Sequence, residues 1–276
     1  MKKILAGCVL SMIIFTGCAS TKDAARYETD SHGARAYRYF RSGNMPGAVE
    51  QYKKGYADAR KTDRVSGAAQ SLANIGRVYN EMGRHDSAAL YLAKAHDEFV
   101  TLGDTVAASK AAAFLALCLA EQGDTEQARK WSQAAQAYQW KGSGHYQALM
   151  KSRLDMRLSS EITNEDELNA AQAFYKKNKN FSALTTIHTL KADMEFSNGN
   201  CAEAEELLHE SLNLNNNARE PYRRSGILLK LSIIKFCAGD AAAGKRYYDR
   251  SKDCAPKGVM VPPINEVSEC KGRCNK

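Results

Sequence analysis

Apolar and polar positions along the chain recur with the spacing of an α-helix. In residues 145–162, HYQALMKSRLDMRLSSEI, apolar side chains stand three and four residues apart and so share one helix face. Runs of β-branched residues that alternate with polar ones, as in half-buried strands, are absent. Only Pro46 and Pro221 interrupt residues 30–253. The pattern predicts an all-α chain.

Small residues recur at an interval of 40 residues. Gly43, Gly83 and Gly123 share one position of this repeat, and Gly199 and Gly239 are again 40 residues apart. Two further positions of the repeat hold Ala36, Gly76 and Ala116, and Ala48, Ala88 and Ala128. Several units in register predict a helical-repeat protein.

Two packed helices per unit account for this spacing. A small residue on the first helix lets the second helix approach closely. A Gly seven residues later ends the first helix at a position that needs a positive φ. An Ala five residues after that Gly is the small contact on the second helix. Residues 84–87 and 124–125 follow the Gly and are predicted to supply N-cap side chains for the second helix.

The stretches GRVYNEMGRHDSA, AYRYFRSGNMPGA and ALCLAEQGDTEQA carry this signature. They resemble the tetratricopeptide repeat (TPR), which implies a right-handed α-solenoid whose groove binds a peptide or a partner's helix. The usual repeat has about 34 residues, so about six extra residues are expected here, after the second helix. HEAT-type pairs also run to about 40 residues but lack the Gly-turn-Ala signature.

About six helix pairs are predicted over residues 30–253. The Gly and Ala markers are missing between residues 144 and 178, and Gly123 and Gly199 are 76 rather than 80 residues apart. We interpret this segment as a degenerate fourth unit, whose second helix opens at Asn164.

Residues 1–17 have the pattern of a secretory signal. Lys2 and Lys3 precede an apolar run of about a dozen residues, which is too short to span a bilayer as a mature helix. The run ends on FTGC, which partly resembles the lipobox of bacterial lipoproteins. The resemblance implies acyl chains on Cys18, a tether over residues 18–29, and, since Ala19 follows, an outer-membrane protein facing the periplasm. An ordinary cleaved signal or an uncleaved anchor are the alternatives.

The last segment, residues 254–276, is rich in Pro and Gly. A solenoid needs a cap over its final apolar face. The apolar residues of this tail are expected to fold back over the last helix pair: Val259, Met260, Val261 and Ile264. A disordered tail is the alternative.

Six cysteines lie beyond the signal and Cys18. In an oxidising compartment, disulfides are expected among five of them. The candidates are Cys201, Cys237, Cys254, Cys270 and Cys274. A pair between Cys201 and Cys237 fits neighbouring turns, and the last three cysteines would staple the tail. Cys118, inside a helix, is predicted to be a small buried residue.

Without the signal, 37 basic and 31 acidic side chains give a net charge of +6. This modest excess suits a solvated helix surface, although anionic lipid or an acidic partner would also be attracted. The basic–aromatic pattern of a nucleic-acid module is absent, and export argues against nucleic acid. The histidines are scattered and no catalytic, nucleotide-binding or metal-binding motif occurs. We therefore expect no enzyme activity, cofactor or metal; a hydrolase or redox protein with an unrecognised site is a minor alternative.

By the TPR resemblance, the groove is lined one and four residues past the small contact of the first helix. The groove candidates are Tyr37, Phe40, Arg77, Asn80, Leu117, Asp193 and Phe196. Arg77 and Asn80 offer a cation and an amide that suit a peptide backbone or carboxylate. The expected function is that of a lipid-anchored adaptor for an envelope protein or peptide, in envelope assembly or secretion. The alternative is a permanent structural subunit of an envelope machine that uses its convex face and tail.

Overall fold

The computed structural model describes residues 31–140, 142–268 and Cys274. These residues form thirteen α-helices and one 3₁₀ turn, Pro221–Arg223. The helices are α1 (Ser31–Arg41), α2 (Met45–Lys61), α3 (Val65–Glu81), α4 (His85–Thr101), α5 (Thr105–Glu121), α6 (Thr125–Ala137), α7 (Ser143–Leu158), α8 (Glu165–Lys177), α9 (Phe181–Ser197), α10 (Cys201–Ala218), α11 (Arg224–Cys237), α12 (Ala241–Asp253) and α13 (Ile264–Ser268). Consecutive helices pack as neighbours, so the fold is the predicted all-α solenoid.

The predicted signal (residues 1–17), the tether (residues 18–29) with Cys18, and Cys270 lie outside the described residues. Among the helices that the structure does describe, none has both the length and the apolar composition that a membrane crossing requires.

The 40-residue period arises from two helices of equal length. Helices α2 to α6 begin every 20 residues, and α2 to α5 each have 17 residues. The extra length is therefore shared by both helices of a pair and not added after the second helix, as the sequence suggested. The five repeat glycines all adopt the positive φ predicted for helix ends, between +71° at Gly83 and +86° at Gly199.

Side-chain caps begin many of these helices. The carboxylate of Asp124 accepts the Gln127 N–H at 3.1 Å, as predicted for the start of α6. Asp104 does the same for α5, although this cap was not predicted. At the start of α4, in contrast, Arg84 is the N-cap residue and makes no side-chain cap. The predicted cap from residues 84–87 is therefore wrong, since Arg has no acceptor atom to offer the first-turn N–H groups.

The small repeat positions lie where paired helices touch. Ala36, Ala48, Ala88 and Ala128 are completely buried. At Gly76 there is no room even for a methyl group, because a Cβ placed there would lie 2.6 Å from Leu92 Cγ. These contacts confirm the packing role inferred from the spacing.

The degenerate fourth unit is present as α7 and α8. Its two helices are joined by a buried polar contact in place of the missing small residues: Ser152 Oγ donates to Asn164 Oδ1 at 2.8 Å, and Asn164 Nδ2 donates to the Ala148 carbonyl at 3.1 Å. Asn164 is thus turned inward, so it starts α8 without capping it through its side chain.

The two ends of the solenoid meet. The ring of Tyr222, in the connector between α10 and α11, lies 4.6 Å from the ring of Phe40 in α1. Arg41 donates to the carbonyl of Ala218 at 3.2 Å. The Lys257 N–H donates to the Gly43 carbonyl at 2.8 Å. The described repeats therefore curl far enough for C-terminal residues to pack on the first unit.

The tail packs in two directions. Val259 joins the core of the first helix pairs, which was not predicted. Further on, the Tyr248 hydroxyl of α12 donates to the Pro262 carbonyl at 2.9 Å, and Val267 is buried. This second part covers the last helix pair, as expected. Met260 is instead 85% exposed and contributes nothing to the cap.

Disulfides involve the tail. Cys201, at the start of α10, is bonded to Cys274, 73 residues later. The pairing of Cys201 with Cys237 is therefore not formed, although Cys237 is also disulfide-bonded. Cys254 and Cys118 are free. Cys118 is buried, and burial raises the pKa of its thiol to about 12, so it behaves as the small apolar residue that was predicted.

Candidate peptide-binding cleft

A cleft of about 700 Å³ runs across the first three units. Helices α1, α3 and α5 supply most of its lining, and the connector between α10 and α11 forms part of its wall. The residues that face it repeat with the chain: Ala34, Asn74 and Phe114 are 40 residues apart, as are Gln70 and Lys110. Its volume lies in the usual range for ligand-binding clefts, so a short segment fits better than a folded domain.

Three of the predicted groove residues line this cleft: Tyr37, Phe40 and Arg77. Tyr37 is 45% exposed and presents its ring to the ligand space, whereas Phe40 is buried except for a small area. Asn80 lies elsewhere. Its Oδ1 accepts a hydrogen bond from the Cys118 thiol at 3.4 Å and is 3.2 Å from His85 Nδ1, so the side chain joins α3 to its neighbours.

The remaining candidates are not part of the cleft. Leu117 is only 4% exposed, because α7 packs over it with Met150 and Leu154. Asp193 and Phe196 lie on α9. Asp193 is paired with Lys230 at 2.5 Å, and Phe196 packs on the core of the later units.

The rule used to choose the candidates was therefore offset. In α1 and α3 the cleft is lined one residue after and two residues before the small contact, as by Arg77 and Asn74 around Gly76. The position four residues after it faces a neighbouring helix. Asn74 and Phe114 were missed, although both stand 40 residues apart in register and so carried a repeat signal.

The cleft is rich in cations. Arg38 and Arg41 reach it from α1, Arg77 from α3 and Lys110 from α5. In the described part of the chain, Arg38, Arg77 and Lys110 form no ion pair with a carboxylate. Their charges are therefore uncompensated by direct contacts, which makes the cleft attractive to anions.

The two acidic residues of the cleft are already engaged. Asp104 caps α5 by accepting the Ala107 N–H at 3.0 Å. Glu220 is paired with Arg223 at 3.2 Å and accepts a hydrogen bond from the Ser182 hydroxyl at 3.0 Å. Their carboxylates hold local structure and leave the arginines and the lysine available.

Aromatic side chains support these cations. The guanidinium of Arg77 lies 5.6 Å from the ring centroid of Phe114, and Arg153 of α7 lies at the same distance from that ring. An arginine resting on an aromatic ring loses little freedom when it binds an anion through its N–H edge. Tyr52 also lines the cleft, and burial raises its pKa to about 12, so its hydroxyl stays neutral.

Chemistry other than binding has little support in the cleft. In the residues that the structure describes, no group of three or more His, Cys, Asp or Glu side chains is placed to hold a metal ion. The cleft offers positive charge, aromatic surface and the amides of Gln70 and Asn74. These groups suit recognition of an extended chain.

Comparisons with known proteins identify the fold. Neither a protein-family model nor a curated protein matches the chain. A solved structure of the Rap conjugation gene regulator of plasmid pLS20, in complex with the Phr* peptide, is 18% identical with a TM-score of 0.61, over 93% of this chain and 67% of that one. BtubC (BKLC) from P. vanneervenii is 15% identical with a TM-score of 0.51, over 79% of this chain and 94% of that one. These likenesses support a TPR-like helical-repeat fold.

Proposed function

We propose that this protein is a non-enzymatic adaptor that binds a peptide, or an extended segment of another protein, in the cleft across α1, α3 and α5. The observation that carries the proposal is the cleft itself, which combines uncompensated cations with aromatic walls. A structural neighbour of the same fold was solved in complex with a peptide, and this supports a peptide or protein as the ligand.

We place this function at the cell envelope. The support comes from the sequence: a basic and apolar segment over residues 1–17 and a lipobox-like FTGC ending at Cys18. In this proposal the lipid holds the solenoid at the periplasmic face of the outer membrane, where it docks another envelope protein during assembly or secretion. Cell fractionation and palmitate labelling of the wild type and of Cys18→Ala test it. Labelling that persists in Cys18→Ala would contradict the anchor.

The binding role is tested by copurification from cells. Arg77→Glu reverses a charge inside the cleft and should abolish recovery of the partner. Lys130→Glu is the matched control, because Lys130 lies on α6, outside the cleft, with its side chain 62% exposed. Equal recovery with both variants would remove the cleft from the proposal.

A second candidate is a permanent structural role for the outer surface. Leu90 and Val100, on α4, are 55% and 48% exposed, which is unusual for such large apolar residues. If this surface is the contact, Leu90→Ser should lose the partner while Arg77→Glu retains it.

A further inference from the structure

The chemistry of the cleft points to a narrower class of ligand. We infer that the cleft binds an acidic peptide segment, in which a carboxylate is held by Arg77 at the end of the cleft formed by Phe114. This inference rests on the proposed binding function and adds the charge of the ligand and the position of its main anchor.

The first support is the arrangement of the cations. Arg38, Arg77 and Lys110 come from three successive inner helices, so their charges follow the length of the cleft. An extended chain that carries several carboxylates meets one cation per unit, whereas a single small anion would need only one. A series of charges therefore matches a peptide with repeated Asp or Glu residues.

The second support is the surroundings of Phe114. Both faces or edges of this ring are approached by guanidinium groups, those of Arg77 and Arg153. Two like charges near one ring repel each other, and an anion between or beside them relieves that repulsion. Arg153 donates to the sulfur of Met150 at 3.6 Å, but within the described residues it forms no ion pair. Desolvation lowers the pKa of this arginine, although Glu81 acts in the opposite direction.

The third support is an unused hydrogen-bonding group. The hydroxyl oxygen of Tyr146, on the same helix as Arg153, is buried and has no hydrogen-bond partner among the described residues. A buried hydroxyl without a partner is costly, so it marks a place where a ligand atom or a water belongs. Burial raises the pKa of Tyr146, while the charges of Arg153 and Arg77 lower it, which puts all three groups in one electrostatic neighbourhood.

The walls of the cleft add a second requirement. Tyr37, Phe40, Phe99 and Tyr222 offer aromatic surface between the cations. A chain of carboxylates alone would leave this surface in water. The preferred segment therefore alternates acidic and apolar residues, so that carboxylates meet the cations while apolar side chains cover the rings.

The inference is tested with three fluorescein-labelled peptides and the full chain in mild detergent. One peptide alternates glutamate and leucine, and in its twins glutamine or lysine replaces every glutamate. Fluorescence anisotropy should show that the glutamate peptide binds at least about tenfold more tightly than the glutamine twin, because charged hydrogen bonds are the stronger ones. The lysine twin should not bind, and added salt should weaken the glutamate peptide only.

Variants locate the effect. Arg77→Gln and Lys110→Gln should each weaken the glutamate peptide about tenfold and leave the glutamine twin unchanged. Lys130→Gln on the outer helix is the matched control and should change neither. Circular dichroism checks that each variant keeps the helical content of the wild type, so that loss of binding is not loss of fold.

The outcomes separate the inference from the proposed function. Equal binding of the glutamate and glutamine peptides, abolished by Tyr37→Ala, would overturn the acidic preference and keep a peptide-binding cleft. Absence of binding by all three peptides would overturn the inference. Equal competition by inorganic phosphate at matched ionic strength, or equal weakening by Lys130→Gln, would mean that the chain attracts anions non-specifically, which also overturns it.

Discussion

The close approach of paired helices is tested most sharply at Gly76, with Gly67 of the same helix as its control. A Cβ built on Gly76 lies 2.6 Å from Leu92 Cγ and 3.2 Å from the Ala88 carbonyl oxygen. A Cβ built on Gly67 meets the Cβ of Ala59 at 3.7 Å, which is an ordinary contact. Gly→Ala at the two positions therefore adds the same methyl group to one helix, at a closed site and at an open site.

The expected magnitudes follow from two opposing effects. Within a helix, Ala is favoured over Gly by about 0.5–1 kcal/mol, so Gly67→Ala should raise the free energy of unfolding by up to that amount. Gly76→Ala gains the same term but overpacks its neighbours, which costs about 1–3 kcal/mol. Leu92 is 1% exposed and has no space to move into. The Gly76 variant should therefore be less stable than the Gly67 variant by about 1–3 kcal/mol.

Thermal unfolding followed by circular dichroism measures this difference. For a chain of this size, 1 kcal/mol shifts Tm by about 2–4 °C, so Gly76→Ala should melt several degrees below Gly67→Ala. Urea unfolding should give the same order. If Gly76→Ala is as stable as Gly67→Ala, the helices do not touch at this position and the packing account of the repeat fails.

Three further results are expected. In a double-mutant cycle, Phe40→Leu and Tyr222→Leu should show a coupling of about 0.5–1.5 kcal/mol, whereas additive effects would mean that the solenoid ends do not meet. Replacing Cys201 and Cys274 together by Ser should lower the free energy of unfolding by up to about 4 kcal/mol, because the bond closes a long loop; an unchanged urea midpoint would contradict this. Cys118 should resist iodoacetamide in the folded protein near about pH 8 and react in urea, because burial raises its pKa to about 12; fast labelling of the folded chain would contradict its burial.

The repeat was predictable from sequence because its signals are local. A positive φ at a helix end selects Gly, and a close contact between helices selects Gly or Ala, so Gly83 and Gly76 mark their own roles. The length of each helix was less clear, since the turn at Gly103 carries the same signal as the turn at Gly83 and was not recognised as half of the period.

The cleft was only partly predictable, because its boundaries depend on contacts between distant residues. Leu117 stands in register with Tyr37 and Arg77, but α7 covers it. The stacking of a degenerate unit cannot be inferred from a repeat that the unit lacks. Tyr222 joins the wall from about 180 residues away, since the solenoid curls back onto its first unit. A single sequence carries no pattern for that contact.

The central claim is that partners bind inside the cleft. The most direct test places a photo-crosslinking amino acid at Asn74, which lines the cleft, or at Leu90, on the outer helix α4. After illumination of living cells, we predict an adduct at position 74 that disappears when Arg77→Glu is added, and none at position 90. An adduct confined to position 90, or one at position 74 that ignores Arg77→Glu, would contradict the account.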